Sequence, residues 1–177
     1  AEEDRRHRTS RAPRGMLIKD GTVLSLDRGV GNTVGADVLI EDGVISEVGR
    51  SLRARNVEVV DAVDCIVMPG FVDAHRHVWR SIARNLDSAS ATDLAASFTP
   101  DDVYAATLVG LLQAAEAGIT TVVDWCDVSL DTAYHEAAAS AHADVGVRTV
   151  LVAPNSENST SGDTPFASAS VDVVAAE

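Results

Sequence analysis

Hydrophobic and polar positions alternate with a short period in the first third of the chain, between residues 16 and 67. Runs rich in valine, isoleucine and leucine flank two Asp-Gly pairs, Asp20-Gly21 and Asp42-Gly43. Because Asp-Gly between alternating apolar runs is a strong hairpin signal, we expect a tight turn at each pair. The pattern therefore predicts a small all-β unit over residues 16–67. Residues 1–15 are charged and have no apolar period, which predicts a disordered leader.

From Met68 onward the period changes, and short apolar runs alternate with helical segments. Three of these runs are predicted to be strands: MPGFVDAHRHV, ITTVVDWC and VRTVLVAP. Capping residues predict one helix that begins at Thr99-Pro100 and ends at Gly118, and a second that runs from about Leu130 to Asp144 and stops at Gly146. A long loop is predicted from about Arg80 to Thr99, and the final segment, FASASVDVVAAE, is predicted to begin a third helix.

Strands and helices that alternate in this way predict a parallel sheet within an α/β domain, formed by residues 68–177. The connections in such a sheet are expected to be short and right-handed. Periodicity alone does not distinguish a closed barrel from an open, doubly wound sheet, so both architectures remain open at this point.

The chain is acidic, with a net charge of −13 from 14 basic and 27 acidic residues. Five arginines lie within residues 1–15, so the rest of the chain is more acidic still. This charge argues against nucleic acid or an anionic membrane as a partner. The sequence has no apolar run of 18 residues and no signal-peptide core, so neither a transmembrane helix nor a secretory signal is expected.

Cysteine usage is sparse, with Cys65 and Cys126 far apart in strand-like segments and no CxxC motif. We expect both to be buried free thiols. This usage fits a reducing, cytoplasmic setting.

The residues with the clearest chemistry lie at the end of the first predicted strand of the α/β domain, in Asp73-Ala-His75-Arg-His77. Residues two apart in a strand point the same way, so Asp73, His75 and His77 share one face. The two imidazoles start roughly 6.6 Å apart along the strand, and a bend at its end lets both reach one metal ion. The alternative is a pair of solvent-exposed histidines in a turn.

The segment from Met68 to His77, MPGFVDAHRH, resembles the signature of the amidohydrolase superfamily, and its deaminase/chlorohydrolase branch resembles this chain most. IKDGTVLSLD and ADVLIEDGVISEVG resemble the N-terminal β-sandwich half of that superfamily, and AGITTVVD resembles its second barrel strand. The resemblance implies a (β/α)8 barrel, of which residues 68–177 form about three βα units after a small β-sandwich half-domain. It also implies one divalent metal, zinc or iron, held in part by His75 and His77, whose bound water attacks a carbon that carries an amine, amide or halide.

Other candidate residues have two interpretations each. Asp73 either orients the histidines from beneath or bonds to backbone, and Trp79 either lines a substrate pocket or packs under the loop. Asp124 and Asp127 end the second strand, where each either supports the metal ligands or serves as a solvated or capping residue. His135 and His142 lie seven apart on the second helix, and we expect both to be solvated surface histidines.

The 110 residues from Met68 to Glu177 are too few for a closed barrel, which takes about 250. We therefore expect an N-terminal portion of a small-molecule hydrolase, with the general base and remaining ligands beyond the end of the chain. Two alternatives are a binding module completed by a partner and a stand-alone α/β protein with an incidental HxH. Substrate, metal identity and homo-oligomeric state stay open, since imidazoles suit several metals.

Overall fold

Contacts within the chain divide it between Pro69 and Gly70 into two units. The computed structural model describes residues 15–128, 131–154 and 169–174. The predicted leader, residues 1–15, lies outside the described residues except for Gly15, which begins the first strand. Within the part of the chain that the structure describes, no helix combines the length and the apolar character needed to cross a bilayer.

The first unit contains a five-stranded sheet. Strand β1 (Gly15–Leu24) pairs antiparallel with β2 (Asn32–Glu41), which pairs antiparallel with β3 (Val44–Gly49). Strands β4 (Glu58–Asp61) and β5 (Ile66–Val67) both run parallel to β1. Every element that the structure describes in this unit is a strand, as the short period of the sequence predicts.

The two Asp-Gly pairs of this sheet have different conformations. Asp42 and Gly43 join β2 to β3 with φ angles of 49° and 77°, which are the two positive angles of a hairpin turn, so this prediction is confirmed. The turn predicted at Asp20-Gly21 is wrong, because β1 continues through it with an irregular register. Asp20 has a φ of 62° and donates its backbone N–H to Asp37, which stabilises a bulge there.

The second unit has a four-stranded sheet in which β6 (Phe71–Arg76), β7 (Ile119–Trp125) and β8 (Arg148–Pro154) are parallel, as predicted. Strand β9 (Ala169–Val174) pairs antiparallel with β8, so the helix predicted in this segment is wrong over these residues. The sequence ASVDVV alternates with the period of a strand, and the edge of β8 offers it unpaired backbone groups. The rest of that predicted helix lies outside the described residues.

Helices connect the parallel strands. The segment predicted as a long loop after β6 instead contains a 3-10 helix, Val78–Ala83, and helix α1 (Ser88–Ala95). These helices are short and depend on tertiary packing, which the local pattern does not reveal.

Helices α2 (Pro100–Glu116) and α3 (Thr132–Val145) lie close to their predicted positions. The Thr99 hydroxyl accepts from the Asp102 backbone N–H, and the Asp102 carboxylate accepts from the Thr99 N–H, forming a capping box that begins α2. Helix α3 ends at Gly146, whose φ of 72° is the left-handed conformation expected of a glycine at this position.

The core of the second unit lies where α2 and α3 pack on the sheet. It comprises two groups of buried side chains, one around Trp79 and one around Leu111. Gly110 of α2 packs directly on the 3-10 helix, and a Cβ there would lie 2.8 Å from the Val78 carbonyl oxygen. This close approach holds the segment that follows His77 against α2.

Candidate metal centre at the end of strand β6

His75 and His77 lie at the carboxyl end of β6, and the structure brings their rings together. The ring centroids are 5.2 Å apart with an interplanar angle of 78°. His75 is exposed, and His77 is half-buried and lies just before the 3-10 helix with φ −101° and ψ 86°. The chain therefore bends away from the strand at His77, and both imidazoles stay near one point at its end.

Asp127 fixes the ring of His77. Its Oδ1 lies 2.9 Å from His77 Nδ1 and accepts a hydrogen bond of 2.8 Å from Trp79 Nε1. Its Oδ2 accepts from the guanidinium of Arg80 at 2.6 Å. Because an ionised carboxylate only accepts, the neutral His77 ring carries its proton on Nδ1 and keeps the lone pair of Nε2 for another partner.

The ring of His75 packs against Trp125, the last residue of the neighbouring strand β7. Their ring centroids are 5.1 Å apart at an interplanar angle of 37°. Trp125 was not among the predicted site residues. Its position one residue beyond Asp124 on a strand parallel to β6 was the available signal, since adjacent parallel strands end side by side.

Asp73 contacts backbone and a neighbouring arginine rather than an imidazole. Its Oδ1 accepts from the His75 N–H at 3.3 Å, and its Oδ2 lies 3.4 Å from Arg76 Nη1. The structure thus places Asp73 in the arrangement of a half-buried carboxylate that supports the local backbone.

Trp79 lies in the core and is 1% exposed. Its ring packs edge-on against Phe98 with 5.8 Å between the centroids, and the guanidinium of Arg80 lies 5.1 Å from the ring. Of the two interpretations given to Trp79, the structure matches the packed side chain.

Asp124 faces a different environment from Asp127, and His142 is its partner. Asp124 Oδ2 lies 2.9 Å from His142 Nε2, and Oδ1 accepts from the Val78 N–H at 2.9 Å. His142 is fully buried, so its prediction as a surface histidine is wrong. The sheet-facing stripe of α3 includes it beside Ala138 and Ala141, whereas His135 is half-buried.

The two cysteines differ in exposure. Cys65 is exposed, so the prediction of two buried thiols is wrong for this residue. Cys126, which lies between Asp124 and Asp127 in the sequence, is buried as predicted. Burial, together with the nearby charge of Asp124, raises the pKa of the Cys126 thiol to about 12. Cys126 is therefore a packing residue that stays protonated at neutral pH.

A pocket of ≈ 320 Å³ borders His77. Three arginines line it, which is notable in a chain with a net charge of −13. They are Arg76, Arg80 and Arg84. Two of these arginines are paired with carboxylates that the site already contains, Arg76 with Asp73 and Arg80 with Asp127.

The histidine pair fits part of a metal site. Two imidazoles, one with its Nδ1 engaged by a carboxylate, are the donor set and the support that zinc or iron takes in proteins. Within residues 15–128, 131–154 and 169–174, no group of three or more histidine, cysteine, aspartate or glutamate residues is arranged to hold a metal ion. The described residues thus bring together two candidate ligands, which is fewer than a complete centre needs.

Comparison with known proteins gives consistent matches. The model of the amidohydrolase family matches residues 66–169. Over 146 residues the chain is 38% identical to the 5-methylthioadenosine/S-adenosylhomocysteine deaminase of Pyrococcus furiosus, covering 77% of this chain and 33% of that protein. Over 118 residues it is 32% identical to the 5'-deoxyadenosine deaminase of Methanosarcina mazei, covering 62% and 27%.

A solved structure agrees with these sequence matches. A mutant of atrazine chlorohydrolase TrzN from Arthrobacter aurescens TC1, complexed with zinc and atraton, has a TM-score of 0.68 and 28% identity. The match covers 77% of this chain and 35% of that one.

The chain belongs to the amidohydrolase family, because the family model matches more than half of it. The resemblance drawn from MPGFVDAHRH is thereby confirmed at the level of the superfamily. The chain spans about a third of the length of the Pyrococcus furiosus relative and less of the Methanosarcina mazei one.

Proposed function

We propose that this chain is part of a metal-dependent hydrolase that cleaves carbon–nitrogen or carbon–halogen bonds of small molecules by means of metal-activated water. The observation that carries the proposal is the pair His75 and His77 at the end of β6, with His77 Nδ1 held 2.9 Å from Asp127. The relatives named as deaminases and a chlorohydrolase support the reaction class.

His75 and His77 would hold the metal, zinc or iron, through their free ring nitrogens. A divalent metal in such a site supplies a bound water whose pKa falls toward neutrality. Asp127 keeps the His77 ring in the tautomer that presents Nε2, and Trp125 limits the orientations of the His75 ring. Asp73 supports the strand end through the His75 N–H.

We further propose that the second unit is the first portion of a (β/α)8 barrel, with the first unit as its β-sandwich half-domain. Parallel strands β6 to β8 with the candidate ligands at a carboxyl strand end support this architecture. The remaining ligands and the general base would come from outside these 177 residues.

The substrate class we propose is a cyclic or heterocyclic small molecule with an amine, amide or halide leaving group. The cavity of ≈ 320 Å³ lined by arginines beside His77 supports a polar small molecule. We also propose a cytoplasmic setting, which the sparse cysteines support, and no nucleic-acid or anionic-membrane partner, which the acidic charge supports.

Zinc binding by the purified chain tests the candidate ligands. Calorimetry is expected to show one zinc ion bound per wild-type chain and no such binding by the His75→Ala/His77→Ala double variant. His135→Ala, which changes a histidine on α3, is the matched control and is expected to bind as the wild type does. Equal binding by the wild type and the double variant would refute the assignment of these ligands. If the wild type binds no zinc, the same comparison is made in a longer chain that contains the remaining ligands.

Catalytic activity requires a separate test in a longer chain. In a protein that contains the missing family segments, His77→Ala is expected to abolish deamination or dehalogenation, while Asp127→Asn is expected to lower kcat/KM about 10- to 100-fold. Activity that survives the loss of His77 would contradict the proposed role.

A further inference from the structure

Three polar side chains from three different elements form a buried network behind the candidate site. His142 of α3 and Thr149 of β8 are 0% exposed, and Asp124 of β7 is 1% exposed. The Thr149 hydroxyl lies 2.6 Å from His142 Nδ1, and Asp124 Oδ2 lies 2.9 Å from Nε2. Burial of polar groups costs free energy unless each finds a partner, and a fully bonded network makes its surroundings rigid.

The direction of the hydrogen bonds follows from the carboxylate. Asp124 only accepts when ionised, so His142 donates from Nε2 to Oδ2 and the Val78 backbone donates to Oδ1. The Thr149 hydroxyl also lies 3.1 Å from the Val147 carbonyl. Either orientation of that hydroxyl leaves the Nε2–H of His142 directed at Asp124.

The backbone group that this network holds is the one next to a candidate metal ligand. Val78 is the first residue of the 3-10 helix, where the N–H groups lack partners within the helix. His77, the residue before it, provides no side-chain cap. Asp124 therefore caps the helix from the neighbouring strand, and the Val78 N–H belongs to the same peptide plane as the His77 carbonyl.

We propose that His142 is a positioning residue for His77. By orienting Asp124, it fixes the peptide between His77 and Val78 and therefore the backbone position from which the His77 side chain extends. His77 is then held twice, its ring by Asp127 and its backbone by the Asp124–His142 pair. The link to metal binding rests on the proposed function, whereas the link between His142 and the Val78 amide does not.

Hydrogen exchange at the Val78 amide tests the link directly. In His142→Leu, which is similar in size but lacks the donor, exchange of the Val78 amide is expected to accelerate about tenfold relative to the Leu111 amide of α2. His142→Gln retains an N–H that reaches Asp124 and is expected to restore the ratio to within about threefold. Ala141→Gly, a buried change on the same helix without a polar contact, controls for general destabilisation and is expected to change both amides alike.

Zinc affinity provides the second readout in the same variants. His142→Leu is expected to weaken binding about tenfold, and His142→Gln is expected to recover most of it. If zinc binds equally to the wild type and to the His75→Ala/His77→Ala variant, the proposed function fails, and exchange at Val78 still decides the positioning role. Equal acceleration of the Val78 and Leu111 amides in His142→Leu would overturn the inference.

A milder variant covers the case in which His142→Leu does not fold. Thr149→Val removes only the hydroxyl beside His142 Nδ1 and is expected to accelerate exchange at Val78 about threefold relative to Leu111. No selective change at Val78 in this variant would likewise overturn the inference.

Discussion

Asp124 lies within strand β7 and Asp127 lies just after it, three residues further on, yet their surroundings differ. Asp124 is 1% exposed and bonds to the buried His142 and to the backbone of Val78. The Asp127 side chain is 18% exposed and accepts from His77, Trp79 and Arg80. The Asp124 carboxylate is buried in the core, and the Asp127 carboxylate lies at the edge of the candidate site.

The contrast separates two requirements of a metal-ligand histidine. Its ring needs a partner that sets the tautomer and still leaves one nitrogen accessible, which an open carboxylate such as Asp127 provides. Its backbone must be held in one position, and a buried carboxylate such as Asp124 does this without entering the site. A change at Asp127 should therefore affect chemistry more than folding, and a change at Asp124 should affect folding first.

The largest expected effect is on the reactivity of Cys126, which lies between Asp124 and Asp127 in the sequence. Because burial raises the pKa of Cys126 to about 12, its thiol should react with iodoacetamide at pH 8 about a thousandfold more slowly than an ordinary thiol. The exposed Cys65 serves as the internal reference. Peptide mass spectrometry of the native chain is expected to show rapid labelling at Cys65 alone.

The same experiment in urea controls for intrinsic reactivity, since both thiols should then be labelled at similar rates. Labelling of Cys126 in the native chain at the rate of Cys65 would mean that the segment is not sealed and that the contrast between the carboxylates does not hold.

The next largest effect is the difference between Asp124→Asn and Asp127→Asn. In Asp124→Asn the amide must direct N–H groups at the donor of either His142 or Val78, so we expect a loss of about 3 kcal/mol in the free energy of unfolding. In Asp127→Asn water reaches the side chain, so we expect about 1 kcal/mol. Urea unfolding at pH 7 measures both, and equal losses would contradict the proposed division of roles.

Gly110 of helix α2 packs against Val78, whose amide Asp124 binds, and replacing Gly110 should change the stability less. Helix propensity alone predicts that Gly110→Ala stabilises by about 1 kcal/mol. We expect a loss of about 1–2 kcal/mol instead, because the new Cβ would lie 2.8 Å from both Val78 Cγ1 and the Val78 carbonyl oxygen.

The exposed Ala115→Gly on the same helix measures the propensity cost by itself, and thermal unfolding compares the two variants. A gain in stability for Gly110→Ala would show that the 3-10 helix moves away readily, and the backbone of Val78 would then not be rigidly held.

Features with local causes were predicted from the sequence. The parallel strands β6 to β8, the cap at Thr99 and the end of α3 at Gly146 follow from apolar runs and capping chemistry within a few residues. The strand period also placed His75 and His77 on one face, and the structure brings their rings together.

Features that depend on distant partners were not predicted. His142 is separated from Asp124 by 18 residues and Asp127 from His77 by 50, so no local pattern shows which aspartate bonds to which histidine. His142 was predicted to be solvated because its helix was expected to pack on the outside of the sheet, although its position beside Ala138 and Ala141 places it on the buried stripe. Strand β9 likewise depends on the edge that β8 offers.

Asp37 in the first unit is a buried carboxylate with a charged partner, and it extends the comparison. Its contribution to stability should be the smallest of the effects predicted. Burial by itself raises the pKa of Asp37, but hydrogen bonds from the backbone of Asp20, from Lys19 and from the backbone of Leu52 outweigh it, so the pKa lies below its usual value of 3.8. A lowered pKa in the folded state stabilises the protein above the unfolded value, and this stabilisation is lost as the pH falls through the folded value.

The free energy of unfolding should therefore decrease as the pH falls below about 4, with a contribution from Asp37 of at most about 1.4 kcal/mol per pH unit. Asp37→Asn should remove that contribution from the slope, and Lys19→Met, which leaves the two backbone donors in place, should reduce it only in part. Urea unfolding between pH 2.5 and 5 measures the three slopes. Identical slopes in wild type and Asp37→Asn would show that the backbone donors do not stabilise the ionised carboxylate. Asp37 would then be a buried carboxylate, like Asp124, whose ionisation adds nothing to the stability of the fold.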